Sequence, residues 1–291
     1  MQQHTRRSPA PTGLPHPIPY QGSKRHLASQ ILALLAGRRF QRFYEPFAGS
    51  AALTIAAAQA RIADEYILGD SLHALIGIWQ QILTTPQNLA QAYEQLWAGQ
   101  LPGDNLYYNR VRSAFNSSQD PAALLYLLAR CVKNSLRFNQ QGEFNQSHDR
   151  RRAGTQPHRM QREILQAWEL LASHTRAVCD DFMSTISQAT ARDVIYMDPP
   201  YQGTTLGRDK RYHQGLERER LIAALAELNR RRVPFIVSYD GRCGETLYGK
   251  DLPAALHLTR LELQAGRSSQ ATLSGRSAVT VESLYLSNTL V

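Results

Sequence analysis

Short apolar runs alternate with helical patterns in two parts of the chain, residues 17–71 and 156–291. The runs "RFYE", "EYILGD", "DVIYMD" and "PFIVSYD" have the length and apolar character of buried strands. Between them, "AALTIAAA", "QREILQAWELLASH" and "RERLIAALAELNRRR" carry apolar residues at helical spacing. Strands that alternate with helices predict an α/β fold, in which a mostly parallel sheet has helices on both faces.

The pattern changes in the middle of the chain and again at both ends. Residues 72–155 contain four helix-compatible segments and no strongly β-branched alternating run, which predicts a helical insert. Near the C-terminus, "LTRLELQAG" and "AVTVESLYLSN" predict an antiparallel hairpin at the edge of the sheet. Residues 1–16 are polar and rich in proline, and we expect them to form a disordered tail.

Charge and cysteine content narrow the class of protein. The formal net charge is +9, which favours a polyanionic partner such as nucleic acid, although solubility alone also explains a basic surface. The three cysteines, Cys131, Cys179 and Cys243, form no CxxC pair. Neither a disulfide framework nor a structural zinc site is therefore expected, and a reducing cytoplasm fits. The apolar runs fall far below the roughly 20 residues that span a bilayer, so we expect no membrane partner.

Two stretches combine a strand end with residue types that bind small polar ligands. In "EPFAGS" (residues 45–50) a strand turns through glycine into a helix, an arrangement that presents backbone N–H groups to a ligand. The stretch lacks the dinucleotide and P-loop fingerprints, so a tight turn without a ligand is an equally good interpretation. Asp70, at the end of the next strand, either accepts hydrogen bonds from ribose hydroxyls or caps the following helix.

The run "YMDPPY" (residues 196–201) ends a buried strand on a carboxylate, two prolines and a tyrosine. Proline fixes φ and lacks an N–H, so the local backbone is stiff and offers carbonyl acceptors. Asp198 and a proline carbonyl are suited to accept the two hydrogens of an –NH₂ group, and the Tyr201 ring is suited to stack on its planar carrier. A metal is the competing use of Asp198, but no further Asp, Glu or His accompanies it at ligand spacing, and we expect no metal.

Taken in order, these stretches resemble the Dam-like family of DNA adenine methyltransferases over about residues 20–288. The matching motifs are "YQGSK" (the N-terminal cofactor motif), "EPFAGSAAL" (the cofactor loop), "GD" at Asp70 (the ribose-binding acid), "RFNQQGEFN" (the DNA-contacting segment that closes the recognition domain) and "DPPY" (the catalytic tetrapeptide). The loop departs from the common F-x-G-x-G pattern, because Ser50 and Ala51 follow Gly49. Several motifs in the family order are far more specific than the tetrapeptide alone.

The resemblance implies a Rossmann-like methyltransferase sheet that binds S-adenosylmethionine, interrupted by a DNA target-recognition insert at residues 72–155. The implied cofactor-binding residues are Tyr20, Lys24, Glu45, Pro46, Phe47, Gly49, Ser50, Asp70, Asp181 and Asp198. The implied catalytic residues are Asp198, Pro199, Pro200 and Tyr201. The implied DNA contacts are Arg137, Asn139, Asn145 and Arg150 at the end of the insert and Tyr212 in the loop after the tetrapeptide. Tyr20 could equally belong to the core, and Lys24 could contact a phosphate.

The implied reaction is methyl transfer from S-adenosylmethionine to the exocyclic amino nitrogen of a flipped adenine in double-stranded DNA. The nearest alternative is an amino-cytosine methyltransferase, in which serine usually replaces the aspartate of the tetrapeptide. An RNA methyltransferase and a DNA-binding module without catalysis are further alternatives. We expect a bacterial or phage-encoded monomer in the cytoplasm, and the sequence leaves open whether a separate restriction endonuclease accompanies it.

Overall fold

The computed structural model describes residues 13–101, 106–200, 218–243, 246–248, 251–267 and 279–291. Most of the predicted tail lies outside the described residues, but its last part belongs to the folded body. Leu14 is buried in the core, and the backbone N–H of His16 donates a hydrogen bond of 2.7 Å to Glu163. The prediction that disorder extends to residue 16 is therefore wrong for residues 13–16, because an apolar side chain anchors this segment.

The described residues form one sheet, and its order places the parallel strands in the middle. Its strands are β1 (Phe40–Glu45), β2 (Ala63–Asp70), β3 (Thr175–Cys179), β4 (Val194–Met197), β5 (Phe235–Cys243), β6 (Thr246–Tyr248), β7 (Thr259–Arg267) and β8 (Val279–Leu286). They lie in the order β3-β2-β1-β4-β5-β8-β7, and β6 pairs with β5 off this path. The first five strands pair in parallel, whereas β8 is antiparallel to both β5 and β7. The predicted α/β sheet with an antiparallel C-terminal edge is confirmed.

Helices cover both faces of this sheet. The α-helices of the described residues are α1 (Ala28–Ala33), α2 (Ala52–Gln59), α3 (His73–Thr84), α4 (Pro86–Ala98), α5 (Tyr107–Ser118), α6 (Pro121–Arg130), α7 (Pro157–Leu171), α8 (Phe182–Ile186) and α9 (Arg218–Arg230). Proline opens α4, α6 and α7, a position where its missing N–H would have had no intrahelical partner. Asp120 caps α6 by accepting a hydrogen bond of 2.8 Å from the N–H of Ala123.

Successive residues of the central strands pack into two different apolar cores, because side chains of a strand point alternately to opposite faces. Tyr44 and Ile195 belong to a core formed with residues of α8 and α9. Phe43 and Val194 belong to a larger core that includes residues of α1, α2, α3 and α7. This three-layer arrangement confirms the predicted helices on both faces.

The predicted insert is helical, and it shares the larger core with the sheet. Buried residues of α4, α5 and α6 belong to that core, and α3 packs against β2 and β3 as well as against α4 and α6. The end of the insert is also tied to the N-terminal motif, since the N–H of Gln21 donates a hydrogen bond of 2.8 Å to the carbonyl of Asn134. A continuous apolar interior therefore joins the helical region to the sheet.

Candidate active site

Three carboxyl groups lie where parallel strands end. Glu45 ends β1, Asp70 ends β2, and Asp198 directly follows β4. Because β1 pairs with both β2 and β4, these strand ends share the edge at which open α/β sheets bind ligands. The side chain of Asp198 keeps 20% of its surface exposed, whereas Glu45 and Asp70 are buried. The edge thus presents one accessible carboxyl group beside two enclosed ones.

The turn between β1 and α2 has a backbone path that favours glycine at two positions. Gly49 has a φ of +47°, and Ala51, where the family pattern has its second glycine, has the same left-handed φ. A Cβ atom at position 49 would lie 3.1 Å from the ring of Tyr20, so the missing side chain lets this ring approach the turn. In this chain an alanine therefore adopts the left-handed conformation at the position where the F-x-G-x-G pattern has its second glycine.

Hydrogen bonds fix this turn to two neighbouring elements. The indole N–H of Trp79, on α3, donates to the carbonyl of Gly49 at 3.0 Å. The hydroxyl of Ser50 donates to the hydroxyl of Ser23 at 2.8 Å, which links the turn to the N-terminal motif. The predicted cofactor loop is thus braced from the sheet's larger core and from the segment that carries Lys24.

The Asp70 carboxylate is held by two backbone N–H groups, and its contact with a ribose stays a prediction. Its carboxylate accepts hydrogen bonds from the N–H of Leu72 at 3.0 Å and from the N–H of Gly49 at 3.3 Å. The first bond lies at the start of α3, and the second braces the glycine turn. Burial raises the pKa of Asp70 to about 6, so the carboxyl is mainly ionised at neutral pH.

Glu45 is an interior group that fixes the start of α2. Its carboxyl accepts hydrogen bonds from the backbone N–H of Thr54 at 2.8 Å and from the Thr54 hydroxyl at 2.5 Å. This satisfies an N–H of the first helical turn, which has no partner within the helix. Burial, with a smaller contribution from the charge of Asp198, raises the pKa of Glu45 to about 8. Glu45 is therefore largely protonated at neutral pH.

The ammonium group of Lys24 lies between two carboxylates. Its Nζ is 3.1 Å from Oδ1 of Asp198 and 3.4 Å from Oε2 of Glu282, on β8. Lys24 is only 7% exposed, so solvent screens these charges weakly. Burial raises the pKa of Asp198 to about 6, with Lys24 acting to lower it and Glu282 acting to raise it. At neutral pH the Asp198 carboxylate is therefore mainly ionised and able to accept hydrogen bonds.

Two aromatic rings form a flat apolar feature beside the turn. The rings of Phe47 and Phe182 are stacked, with centroids 5.2 Å apart and an interplanar angle of 26°. The neighbouring Asp181 carboxylate caps α8 through the N–H of Met183 at 3.0 Å and forms an ion pair with Arg220 at 3.0 Å. The structure thus gives Asp181 two protein partners, and its contact with a cofactor adenine stays a prediction.

The predicted DNA-contacting segment is a structured loop with a tight tip. The N–H groups of Gln141 and Glu143 donate to Oδ1 of Asn139 at 3.0 and 2.9 Å, and the Asn139 amide donates to the Glu143 carboxylate at 2.8 Å. Below the tip, the N–H of Asn145 donates to the carbonyl of Arg137 at 3.0 Å. The Asn139 side chain therefore shapes the tip, while Arg137 and Asn145 are half-buried at its base.

The basic stretch that follows this loop is partly neutralised within the protein. Arg151 and Arg152 form ion pairs with Asp149 at 3.2 and 2.9 Å, and the hydrogen bonds from Arg151 lower the pKa of Asp149 to about 2. Arg150 is exposed. Among these three arginines, Arg150 therefore has the positive charge that is most available to a phosphate.

Two predicted site residues, Tyr201 and Tyr212, lie outside the described residues. Of the catalytic tetrapeptide, the structure describes Asp198 and the two prolines after it. Pro199 is buried and Pro200 is half-buried, which agrees with a stiff connection after β4. Pro46, at the start of the cofactor loop, is also buried.

Sequence reasoning missed Glu282 and Trp79 as parts of the site. Glu282 lies two residues before Leu284, and period-two alternation puts both on one face of β8. Because Leu284 is fully buried, a charged residue at an inward position of a strand was the available signal. Trp79 gave no such signal, because its donation to the Gly49 carbonyl depends on how α3 packs against the turn.

Within the ranges that the structure describes, no group of three or more His, Cys, Asp or Glu side chains is arranged to hold a metal ion. Of the cysteines, Cys131 is buried and Cys179 is exposed, and both are free thiols. No described helix combines the length and the apolar character that crossing a membrane requires.

Comparison with known proteins identifies the family to which the chain belongs. Residues 20–266 match the model of a family described as D12 class N6 adenine-specific DNA methyltransferase. The chain belongs to this family. The match runs from the predicted cofactor motif at Tyr20 through the predicted catalytic tetrapeptide. The predicted resemblance to Dam-like adenine methyltransferases is confirmed, as is the predicted enzyme class.

Relatives with this activity in their names come from bacteria and a phage. The DNA adenine methylase of Escherichia coli strain K12 is 29% identical over 203 residues, which cover 67% of this chain and 70% of that protein. The DNA N-6-adenine-methyltransferase of Escherichia phage P1 is 27% identical over 235 residues, which cover 76% of this chain and 29% of that protein. The retron Ec67 DNA adenine methylase of Escherichia coli is 25% identical over 209 residues, which cover 67% of this chain and 69% of that protein.

Proposed function

We propose that this protein moves a methyl group from S-adenosylmethionine to the exocyclic amino nitrogen of an adenine flipped out of duplex DNA. The observation that carries the proposal is the position of Asp198, an ionised and partly exposed carboxylate directly after β4 at the ligand edge. Membership of the N6-adenine family supports the type of modification. The contacts around Asp198 support the residues that would perform it.

The residues at this edge fit S-adenosylmethionine. The absence of a side chain at Gly49 lets the Tyr20 ring lie against the turn, and the ring and the turn would together line the cofactor site. Asp70 would use a remaining lone pair of its carboxylate to accept a hydrogen bond from a ribose hydroxyl. The half-buried ring of Phe47, which stacks on Phe182, would offer a flat apolar surface to an adenine. When bound, S-adenosylmethionine supplies an electrophilic methyl group on a positively charged sulfur.

Asp198 and Pro199 would act on the amino group of the target base. The lone pair of that nitrogen is delocalised into the ring, which makes the amine a weak nucleophile. Acceptance of its two hydrogens by the Asp198 carboxylate and the Pro199 carbonyl favours a pyramidal nitrogen with a localised lone pair. From the family resemblance, Tyr201 would stack on the flipped ring.

Asp198 also provides a destination for a proton. As the N–C bond forms and the C–S bond breaks, the amino nitrogen gains a positive charge and must lose one of its hydrogens. With a pKa of about 6, Asp198 is a suitable acceptor within hydrogen-bonding distance of that hydrogen, and water can then remove the proton.

The helical insert would bind the DNA duplex through its closing loop. Arg150 is exposed and suits a phosphate contact, whereas Arg137 and Asn145 lie at the base of the loop whose tip Asn139 shapes. Most protein–DNA contacts are made to phosphates, which position the duplex. From the sequence, Tyr212, which follows the tetrapeptide along the chain, would contact the DNA or the flipped base.

Expression in a host that lacks DNA methylation tests the proposal. Single-molecule sequencing of the host DNA should find N6-methyladenine at one recurrent sequence, which also gives the recognition site. DNA from cells that express the Asp198→Asn variant at the same level should lack the mark. Methylated cytosine, or unmethylated DNA from cells with folded wild-type protein, would contradict the proposed function.

We further propose that the protein works as a monomer in the cytoplasm of a bacterium or of a phage-infected cell. The bacterial and phage origin of its relatives supports this setting. A restriction endonuclease that accompanied this protein would cut the mapped site only when it is unmethylated, so digestion of methylated and unmethylated DNA with extract of the source cells would detect it. Light scattering of the purified chain, alone and with a short duplex, measures the oligomeric state.

A further inference from the structure

Glu282 stands at an unusual place for a charged residue. It lies on β8, on the same face as Leu284, which is fully buried. Because β8 runs antiparallel to β5, the first half of β8 lies beside the carboxyl end of β5. Glu282 therefore reaches the ligand edge from the antiparallel part of the sheet. It belongs to none of the family motifs that located the site.

The backbone pairing of β5 with β8 is irregular beside Glu282. Gly241 pairs with Glu282, and the register between the strands shifts between Ser238 and Gly241. A Cβ atom at Gly241 would lie 2.6 Å from the carbonyl oxygen of Val281, so only glycine allows the close approach of the two backbones. Such irregularities re-aim side chains at sheet edges and next to active sites.

Glu282 is linked to Asp198 of the tetrapeptide by Lys24, which forms an ion pair with each of them. Lys24 Nζ is 3.4 Å from Glu282 and 3.1 Å from Asp198, and the Glu282 side chain is 14% exposed. The described charged or titratable groups that face Asp198 are Lys24, Glu282 and Glu45. Glu45 is largely protonated at neutral pH, whereas Asp198 and Glu282 both form ion pairs with Lys24.

We propose that Glu282 is a positioning residue for methyl transfer, which acts through Lys24 and shares its ammonium group with Asp198. The sharing leaves the Asp198 oxygens stronger acceptors for the amino hydrogens than an exclusive ion pair with Lys24 would. The negative charge that Glu282 adds at this edge favours a cationic sulfonium over the neutral thioether that remains after transfer. This inference rests on the proposed function, because it assigns the charge to that cofactor.

A charge-selective binding experiment tests the role without relying on activity. The full-length Glu282→Gln variant keeps the shape of the side chain and loses its charge. Isothermal titration should show that its preference for S-adenosylmethionine over S-adenosylhomocysteine falls by about tenfold, because the two molecules differ by the sulfonium charge. The matched control is Glu262→Gln, which makes the same change at an exposed position of β7 and should keep the wild-type preference.

The pH profile of single-turnover transfer gives a second readout. Loss of Glu282 removes a charge that raises the pKa of Asp198, so the acid limb of the profile should move toward lower pH by on the order of one unit. Glu282→Asp retains the charge, with a shorter reach, and should restore part of the wild-type midpoint and cofactor preference. If the Glu282 carboxylate were purely structural, its loss would lower the melting temperature and weaken the binding of both cofactor forms equally, with no change in the midpoint of the pH profile.

The outcomes separate this inference from the proposed function. If wild-type protein binds neither cofactor form and methylates no DNA, the proposed function itself fails. If wild-type protein is active, and Glu282→Gln matches Glu262→Gln in both preference and midpoint, the role of Glu282 is overturned. If Glu282→Gln does not fold, the same comparison is made with Glu282→Ala, which also removes the charge, and a wild-type preference together with an unmoved midpoint there overturns the role as well.

Discussion

Replacement of Glu45 by glutamine removes a buried ionisable group and keeps an acceptor for Thr54. The pKa of Glu45 is raised from 4.5 to about 8 in the folded protein. The folded state therefore binds more protons than the unfolded state between these values, and the wild-type protein loses stability as pH rises through this window. At about 1.4 kcal/mol for each pKa unit, the loss reaches about 4 kcal/mol by pH 8. The Glu45→Gln variant has no ionisable group at this position and should not show this pH-dependent loss of stability.

The interval from pH 6 to pH 8 isolates this effect. Asp70 and Asp198 have raised pKa values of about 6, so most of their own contribution falls below that interval. Urea unfolding at pH 6, 7 and 8 should show that Glu45→Gln gains about 2 kcal/mol relative to wild type across it. Glu65→Gln, at an exposed position of β2, should follow wild type. A constant difference between Glu45→Gln and wild type at all three pH values would refute the reasoning.

Three further substitutions address the reacting centre, the turn and the DNA surface. Asp198→Asn should lower single-turnover methyl transfer by at least about a hundredfold while titration still detects cofactor binding, and a near-normal rate would remove Asp198 from the mechanism. Trp79→Phe leaves the buried Gly49 carbonyl without its donor and should lower the urea-unfolding free energy by about 1–3 kcal/mol; unchanged stability would mean that this hydrogen bond does not hold the turn. Arg150→Ala should reduce the salt slope of duplex binding by about 0.9, whereas Arg176→Ala, on the exposed edge strand β3, should not; equal slopes would place Arg150 away from the phosphates.

The sheet and the positions of its ligand-binding strand ends were predictable from the chain alone. Alternation of apolar strands with helices is a local signal, and it correctly placed Glu45, Asp70 and Asp198 at strand ends. The parallel pairing then brings these ends to one edge, since successive strands are joined by helices on the two faces. The motifs added the family, which the comparison confirmed.

The contacts between distant segments were not predictable, because they depend on tertiary packing. The ion pair of Lys24 with Glu282 joins residues from opposite ends of the chain, and no local pattern encodes it. The sequence predicted a DNA contact for Asn139 but not the hydrogen bonds through which its side chain shapes the tip of the loop. The predicted tail extended too far because one buried residue, Leu14, lies in a stretch whose average composition is polar.

Identification of the methylated nucleoside tests the central claim most directly. Purified protein is incubated with duplex DNA and S-adenosylmethionine that carries a labelled methyl group, and the DNA is then digested to nucleosides. We predict that the label appears in N6-methyl-2′-deoxyadenosine from the wild-type reaction and is lost when Asp198→Asn replaces the wild type. Label in N4-methyl-2′-deoxycytidine, or undiminished label with Asp198→Asn, would contradict the claim that Asp198 directs methyl transfer to adenine.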